Sequence, residues 1–293
     1  MKKKIIHVYK NDWKGHSLKP GFGDFIRGTC HLIEKYKSQN IDVLIDVSQT
    51  EYSNFLSKSK ILHFGDARKL QNALYLINQH QKVKERLDQF IDADEDEIYI
   101  ITNIGSWQRT VLSQKVRDYV KNAYDFTPNI GSNVKKVLGE ESYATLTIRC
   151  GDGYFHEKKF ANNFPEIICE LIEGQIIQDT KLPIVVASES YELKLFLAKK
   201  YGFKFLPHQS QHGAFGNVEP VVSDLFLLKN SQKNYYINNW SEWWSGFVHY
   251  TSIIFNIPEM NFRYPNFERE EIDVCGNLTR TKISRIHDLS ILK

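Results

Sequence analysis

Apolar positions along this chain fall into short runs separated by stretches with helical spacing, and the alternation continues almost to the end. Residues 5–9 (IIHVY) and 41–47 (IDVLIDV) have the length and character of buried strands. Between them lies a loop with Gly15, Pro20, Gly21 and Gly23. A segment from Asp24 to about Lys37 follows, with Phe25, Ile26, Leu32 and Ile33 on one helical side. The first 50 residues therefore spell strand, glycine loop, helix, strand, which is one βαβ unit. Residues 67–91 predict a long helix, 97–102 (EIYIIT) a strand, and 111–121 and 129–138 two further helices.

The pattern then starts again. A strand at 143–149 (YATLTIR) runs into a glycine turn, and 164–177 is helical. A strand at 183–188 (PIVVAS) is followed by a helix at 191–201, with Gly202 as its C-cap. A short strand at 203–206, a helix at 219–229, a strand at 234–238 and a helix at 241–255 complete the alternation. The expected division is a first domain at 1–140, a second at 141–265 and a tail at 266–293. The tail reads as polar and irregular, with a last helix near its end. Two β/α halves imply a doubly wound α/β architecture, in which ligands sit beyond the carboxyl ends of the strands. The loops that follow strands are therefore where chemistry is expected.

Composition narrows this picture. The 293 residues are 42% hydrophobic and 25% charged, an ordinary globular balance. A net charge of +3 gives no reason to expect nucleic acid as a partner, though a local basic pocket for a phosphate is compatible with it. The four cysteines, Cys30, Cys150, Cys169 and Cys275, show neither a CxxC pair nor zinc spacing, which fits free thiols in a reducing compartment. The apolar run after Lys2-Lys3-Lys4 is too short for a signal segment or a membrane span. A soluble, cytoplasmic protein is expected. If it works on a lipid-linked molecule, it would meet that molecule at the membrane surface. Most of the 15 Tyr, 18 Phe and 5 Trp fill the core; others suit stacking on a sugar ring.

Four segments carry candidate chemistry. Gly21-Phe22-Gly23-Asp24 precedes a helix, where glycines admit close backbone approach and exposed N–H groups favour an anion. A tight turn with Asp24 as N-cap accounts for it equally well. Thr147-Ile148-Arg149-Cys150-Gly151-Asp152-Gly153 ends a strand in an arginine suited to grip a diphosphate and stabilise it as a leaving group. A structural Arg–Asp pair is the alternative, but the strand-end position and the glycine context both suit an anion. Ser188-Glu189-Ser190, after the next strand, suits ribose or base contacts, or simply an N-cap. Asp224 heads an apolar helix, and Asn238, Asn239 and Ser241 surround the start of another whose N–H groups suit a phosphate. His208 and His212, in HQSQHG, suit acceptor binding or a base, and a surface loop equally. Asp92-Ala93-Asp94 has the form of a metal-binding DxD, but it lies in an acidic run before a strand and reads as a solvated loop.

The order of these segments resembles the fucosyltransferase superfamily that includes bacterial α-1,2-fucosyltransferases, Nod-factor and core α-1,6-fucosyltransferases and protein O-fucosyltransferases. The resemblance spans roughly residues 20–255. Gly21–Asp24, Thr147–Asp152, Ser188–Ser190 and Asn238–Trp244 are similar to that family's glycine loop, central H-x-R-x-G-[DN] strand end, S-D-D strand end and late asparagine/serine turn. Gly105-Ser-Trp107-Gln108 and Tyr124-Asp-Phe126 are similar to its G-Y-W-Q and D-F-T-F segments. Thr147 stands where many members have histidine, and Glu189 where the family has aspartate.

The resemblance implies two Rossmann-like domains facing across a cleft (the GT-B type), with an acceptor-side first domain and a nucleotide-sugar second domain. It also implies inverting transfer from GDP-fucose to a glycan, in surface polysaccharide or glycoconjugate synthesis, with no metal or other cofactor required. Arg149 would hold the β-phosphate. Gly21, Gly23, Ser188, Glu189, Ser190, Asp224, Asn239 and Ser241 would complete the donor site, with His212 and Trp107 on the acceptor. Asp24 and Asp152 are the candidate bases. The alternatives are another nucleotide sugar on the same architecture, or a non-catalytic carbohydrate- or nucleotide-binding protein, which the threonine at 147 favours.

Overall fold

A computed structural model describes residues 2–10, 21–36, 39–56, 66–103, 112–122, 124–125, 127–149, 164–208, 217–238, 246–263, 268–273 and 278–282. The elements in the first half are β1 (Lys4–Val8), α1 (Phe22–Tyr36), β2 (Asp42–Asp46), α2 (Ala67–Gln71), β3 (Leu74–Tyr75), α3 (His80–Asp92), β4 (Glu97–Ile101), α4 (Gln114–Lys121) and α5 (Pro128–Leu138). The second half begins with β5 (Ala144–Arg149) and α6 (Phe164–Leu171). A π-helical turn (Ile172–Ile176) carries α6 into the short α7 (Ile177–Asp179). Then come β6 (Ile184–Ser188), α8 (Tyr191–Tyr201), β7 (Lys204–Phe205), α9 (Glu219–Asn230), β8 (Asn234–Asn238), α10 (Gly246–Phe255), β9 (Glu259–Arg263), β10 (Glu268–Ile272) and β11 (Leu278–Lys282).

Among the described residues the strands form two sheets. The first is wholly parallel, in the order β2-β1-β4-β3. The second runs β11-β10-β9-β8-β5-β6-β7, with β9 to β7 parallel and β10 and β11 antiparallel additions. Strands β5, β8 and β9 send every second residue to one core. Ala144, Leu146, Ile148, Tyr235, Ile237, Met260 and Phe262 face one core, packed by Ile168, Ile172 and Ile176 below and Leu193 and Leu197 of α8. On the other face Val185 meets Val134, Leu138, Leu206 and Leu227. In the first sheet Ile6, Val8 and Ile101 pack with Leu70 and Ile77. The ring of Phe22 stacks on Tyr52 at 4.1 Å between centroids, with Tyr9 edge-on to both.

The structure revises several expectations. The helix foreseen at 67–91 is broken into α2, β3 and α3. Leu74 and Tyr75 pair with Ile100 and Ile101, and Asn78 turns the chain with φ 57°, a left-handed conformation that asparagine tolerates. The described part of the tail is not irregular, and the last helix expected near its end lies outside the described residues. After α10 the chain supplies β9, then β10 and β11, whose register runs Glu268–Ile272 against Lys282–Leu278. The expected start of α10 at residue 241 lies outside the described residues. Gly202 closes α8 in the left-handed region at φ 70°, as its position predicts.

Contacts divide the chain into two units, each discontinuous. One comprises Met1–Gly131, Gln211–Ser223 and Ser245–Phe255; the other comprises Ser132–Ser210, Asp224–Trp244 and Asn256–Lys293. The reading of 1–140, 141–265 and a separate tail thus differs from the contact pattern at both ends. α10 belongs with the first unit, and the described tail strands belong with the second.

Within the first unit α1 packs against α4 and α10. Gly23 and Gly246 are where two backbones meet. A Cβ on Gly23 would lie 2.4 Å from the Phe247 nitrogen, and one on Gly246 would lie 2.8 Å from the Gly23 oxygen. Both positions require glycine because backbone, which cannot swing aside, fills the space.

Candidate functional site

The second sheet reverses its winding at β5. The chain runs on to β6 and β7 on one side, then returns to lay β8 and β9 on the other. Open α/β sheets hold their ligands beyond the strand ends at such a point. Register places Arg149, the last residue of β5, beside Asn238, the last of β8, and sets Ile148 beside Ser188 of β6. Three of the strand ends singled out in the sequence therefore share one edge. The Arg149 side chain is about one-third exposed (34%), and its Nε lies 3.9 Å from the Glu189 carboxylate. At that separation the contact is long, and a guanidinium of this exposure keeps surface for a further anion.

Ser188 and Ser190 have structural roles. The buried Ser188 hydroxyl donates to the Ile148 carbonyl at 2.9 Å and accepts from the Ser190 N–H at 3.2 Å, locking the end of β6 to that of β5. Ser190 is the N-cap of α8, its hydroxyl accepting from the Leu193 N–H. Glu189 sits between them and is the residue of the three that meets Arg149.

A second charged group completes this edge. Asp224 is buried, and its Oδ1 lies 3.1 Å from Nε2 of His208. A carboxylate only accepts, so Nε2 carries the hydrogen. Lys194 of α8 is 1% exposed, and its ammonium donates to the Leu206 carbonyl at 3.3 Å and to the His208 carbonyl. Burial lowers the Lys194 pKa, while the charges of Asp224 and Glu189 act to raise it. Sequence reading passed over Lys194. Its signal was its spacing: it lies beside Leu193 and three residues before Leu197, on the buried side of α8.

The first unit has its own switch point, between β1 and β4. Asp24 falls in the first turn of α1 rather than at its cap. The Gly21 carbonyl accepts from the N–H groups of Asp24 and Phe25. Asp24 pairs at 3.0 Å with Arg27, a buried arginine that sequence reading also missed. Nε and Nη2 of Arg27 donate to the Asn103 carbonyl at 3.3 and 3.0 Å. The Asn103 side chain exchanges two hydrogen bonds with Asn78. Behind this network His7 is fully buried. Its Nε2 donates to the Thr102 carbonyl at 2.8 Å, and its Nδ1 lies 2.9 Å from the Thr29 hydroxyl. Burial lowers its pKa to about 4, against a smaller upward pull from the Thr102 bond. Gly28 is the close-approach residue here, since a Cβ would come within 2.8 Å of the Thr102 oxygen.

Asp152, Asn239, Ser241, His212 and Trp107 lie outside the described residues. Asp92 and Asp94 are exposed, at the end of α3 and just after it. Among the described residues no cluster of three His, Cys, Asp or Glu has metal-holding geometry, and no helix is long and apolar enough to cross a membrane.

No family model matches the sequence, and no curated protein matches it. Solved structures do. NodZ α-1,6-fucosyltransferase co-crystallised with GDP aligns at a TM-score of 0.56 and 12% identity, covering 96% of this chain and 99% of that one. The same enzyme soaked with GDP-fucose gives 0.57 and 12%, and fucosyltransferase NodZ from Bradyrhizobium gives 0.57 and 14%, both with the same coverage. At such identities the likeness speaks for the fold alone, and the chain has the α/β fold, with parallel sheets, of these GT-B fucosyltransferases.

Proposed function

We propose that this protein is an inverting glycosyltransferase that takes fucose from GDP-fucose and places it on a glycan acceptor, in the synthesis of a surface polysaccharide or glycoconjugate. The observation that carries the reading is Arg149. It is a partly exposed guanidinium at the switch-point end of β5, beside the end of β8, on a fold shared with an enzyme crystallised with GDP. In this reading the second unit takes the nucleotide sugar. Arg149 grips the β-phosphate, and Asp224 with the Ser188–Ser190 turn takes the nucleoside. Asn239 and Ser241 add donors from the segment after β8. The first unit serves the acceptor, with Trp107 and His212 among its contacts.

An acceptor hydroxyl attacks the anomeric carbon of the fucose. The bond from that carbon to the phosphate oxygen breaks, and the hydroxyl proton passes to a carboxylate, Asp24 or Asp152. Charge collects on the departing diphosphate, so the arginine does most when the bond is nearly broken. Positioning supplies the rest. No metal is required for these steps.

The test is a thermal-shift and calorimetric screen against GDP, UDP, CMP and their sugars, with and without EDTA. A ligand at one hundred times its Kd stabilises the native state by about 2.7 kcal/mol. The expected result is stabilisation by GDP and GDP-fucose that EDTA leaves unchanged. A response confined to UDP or CMP species would discard the donor, and a response to none of them would discard the transferase reading.

A further inference from the structure

Lys194 occupies an unusual place for a lysine. It belongs to the buried side of α8, 1% exposed, among Leu193, Leu197 and the aromatic rings of Tyr191 and Phe205, each 5.8–5.9 Å from its nitrogen. An ammonium is expensive to bury unless its hydrogens find acceptors. Here the acceptors are two backbone carbonyls of one tight turn, Leu206-Pro207-His208, which follows β7. The turn has a single internal bond, from the His208 N–H to the Leu206 carbonyl at 2.8 Å. Such a three-residue turn is weak by itself. The Lys194 ammonium bridges its first and last carbonyls and so fixes the direction in which the His208 side chain leaves the backbone. That imidazole meets Asp224.

We propose that Lys194 is a positioning residue of the nucleotide site: by clamping the 206–208 turn it holds His208 against Asp224 and so fixes the Asp224 carboxylate for the incoming nucleoside. The last part rests on the reading of this edge as the donor site; the clamp itself does not. The charged groups around the pair come from three segments. They are Asp224 on α9, Lys194 on α8, and Glu189, which pairs with Arg149, in the turn between β6 and α8. An apolar side chain such as methionine cannot replace the ammonium, because it offers no hydrogen to either carbonyl.

The experiment compares wild type with Lys194→Met and Lys194→Arg, well below their melting temperatures, by two readouts. The first is nitrogen NMR of the His208 ring. In the wild type the neutral ring carries its hydrogen on Nε2; in Lys194→Met both tautomers are populated, and Lys194→Arg restores the single form. The second is calorimetric GDP affinity. Lys194→Met weakens GDP at least tenfold, Lys194→Arg recovers to within threefold, and Asp224→Asn with Lys194→Met is no weaker than Asp224→Asn alone, since the lysine acts through that carboxylate. If Lys194→Met does not fold, Lys194→Leu, which likewise offers no hydrogen to either carbonyl, takes its place in both readouts. A Lys194→Met or Lys194→Leu variant that keeps the Nε2 tautomer and GDP affinity within twofold overturns the proposal, whatever its loss of stability. If wild type binds no GDP, the donor reading has failed, and the tautomer alone decides whether the clamp exists.

Discussion

The two switch points have the same topology and opposite characters. In each, a central parallel strand is followed through a helix by a neighbour on one side, and later by another strand on the other side. At the β1–β4 edge the arginine, Arg27, is 3% exposed and is held by a backbone carbonyl and by Asp24. At the β5–β8 edge Arg149 is one-third exposed and makes a long contact with Glu189. Among the described residues the first edge packs Gly28 and a fully buried histidine behind Arg27; at the second, the Ser188 hydroxyl ties the end of β6 to that of β5 and the arginine is partly exposed. Topology nominates both edges for ligands, and the side chains decide which one keeps a partly exposed arginine.

The largest expected effect separates the edges directly. Arg149→Ala should lower fucosyl transfer by about 10²–10³-fold, the loss typical of one donor to a developing oxyanion. Its melting temperature should barely move, because the side chain is partly solvated. Turnover within threefold of wild type, measured as GDP release, would remove Arg149 from the site.

The next effect belongs to the closed edge and is one of stability. His7 titrates at about 4 in the folded chain and near 6.5 when unfolded. Between those values the unfolded chain holds the extra proton, so stability falls as pH drops from 6.5 to 4, by about 3 kcal/mol from this group. Denaturant titrations at pH 7 and pH 4.5 should show the loss in wild type and a smaller one in His7→Gln. Equal pH dependence in the two would show that His7 is not the sensor.

The smallest effect sharpens the role of a single hydroxyl. Ser190→Ala removes the cap of α8 and should cost about 1 kcal/mol of stability. If the hydroxyl is only a cap, the Michaelis constant for the donor stays within twofold. A rise of fivefold or more would mean that Ser190 also touches the nucleotide.

The alternating strands and helices were legible because each strand is a compact apolar run and each helix has a one-sided pattern. Arg149 and Glu189 drew attention for a local reason: one ends a strand and the other directly follows one. Lys194 and Arg27 were missed because a charged residue on a helix is ordinarily read as solvated. Only the tertiary packing reveals that the carbonyls of Leu206, His208 and Asn103 wait for them. β3 was hidden inside a helical pattern, since two residues are too few for an alternation to register. The tail strands were missed because EREEI and LTRTK are polar by composition, and their place, β10 on β9 and β11 on β10, depends on a sheet begun much earlier in the chain. Gly23 was read as room for a ligand or, equally, as part of a tight turn, and at that position the space is taken by Phe247.

That last contact has a consequence for the order in which the molecule can be made. The partner of Gly23 lies more than two hundred residues further along, in a helix reached only after the second sheet has received β8. A ribosome that has released the first 140 residues has therefore not yet supplied everything the first unit packs against. The N-terminal half must wait with the α1 surface uncovered until residue 255 has emerged. Contacts this distant in sequence slow folding. A chain cut anywhere between the two glycines would leave a body that cannot close, however complete its sheet.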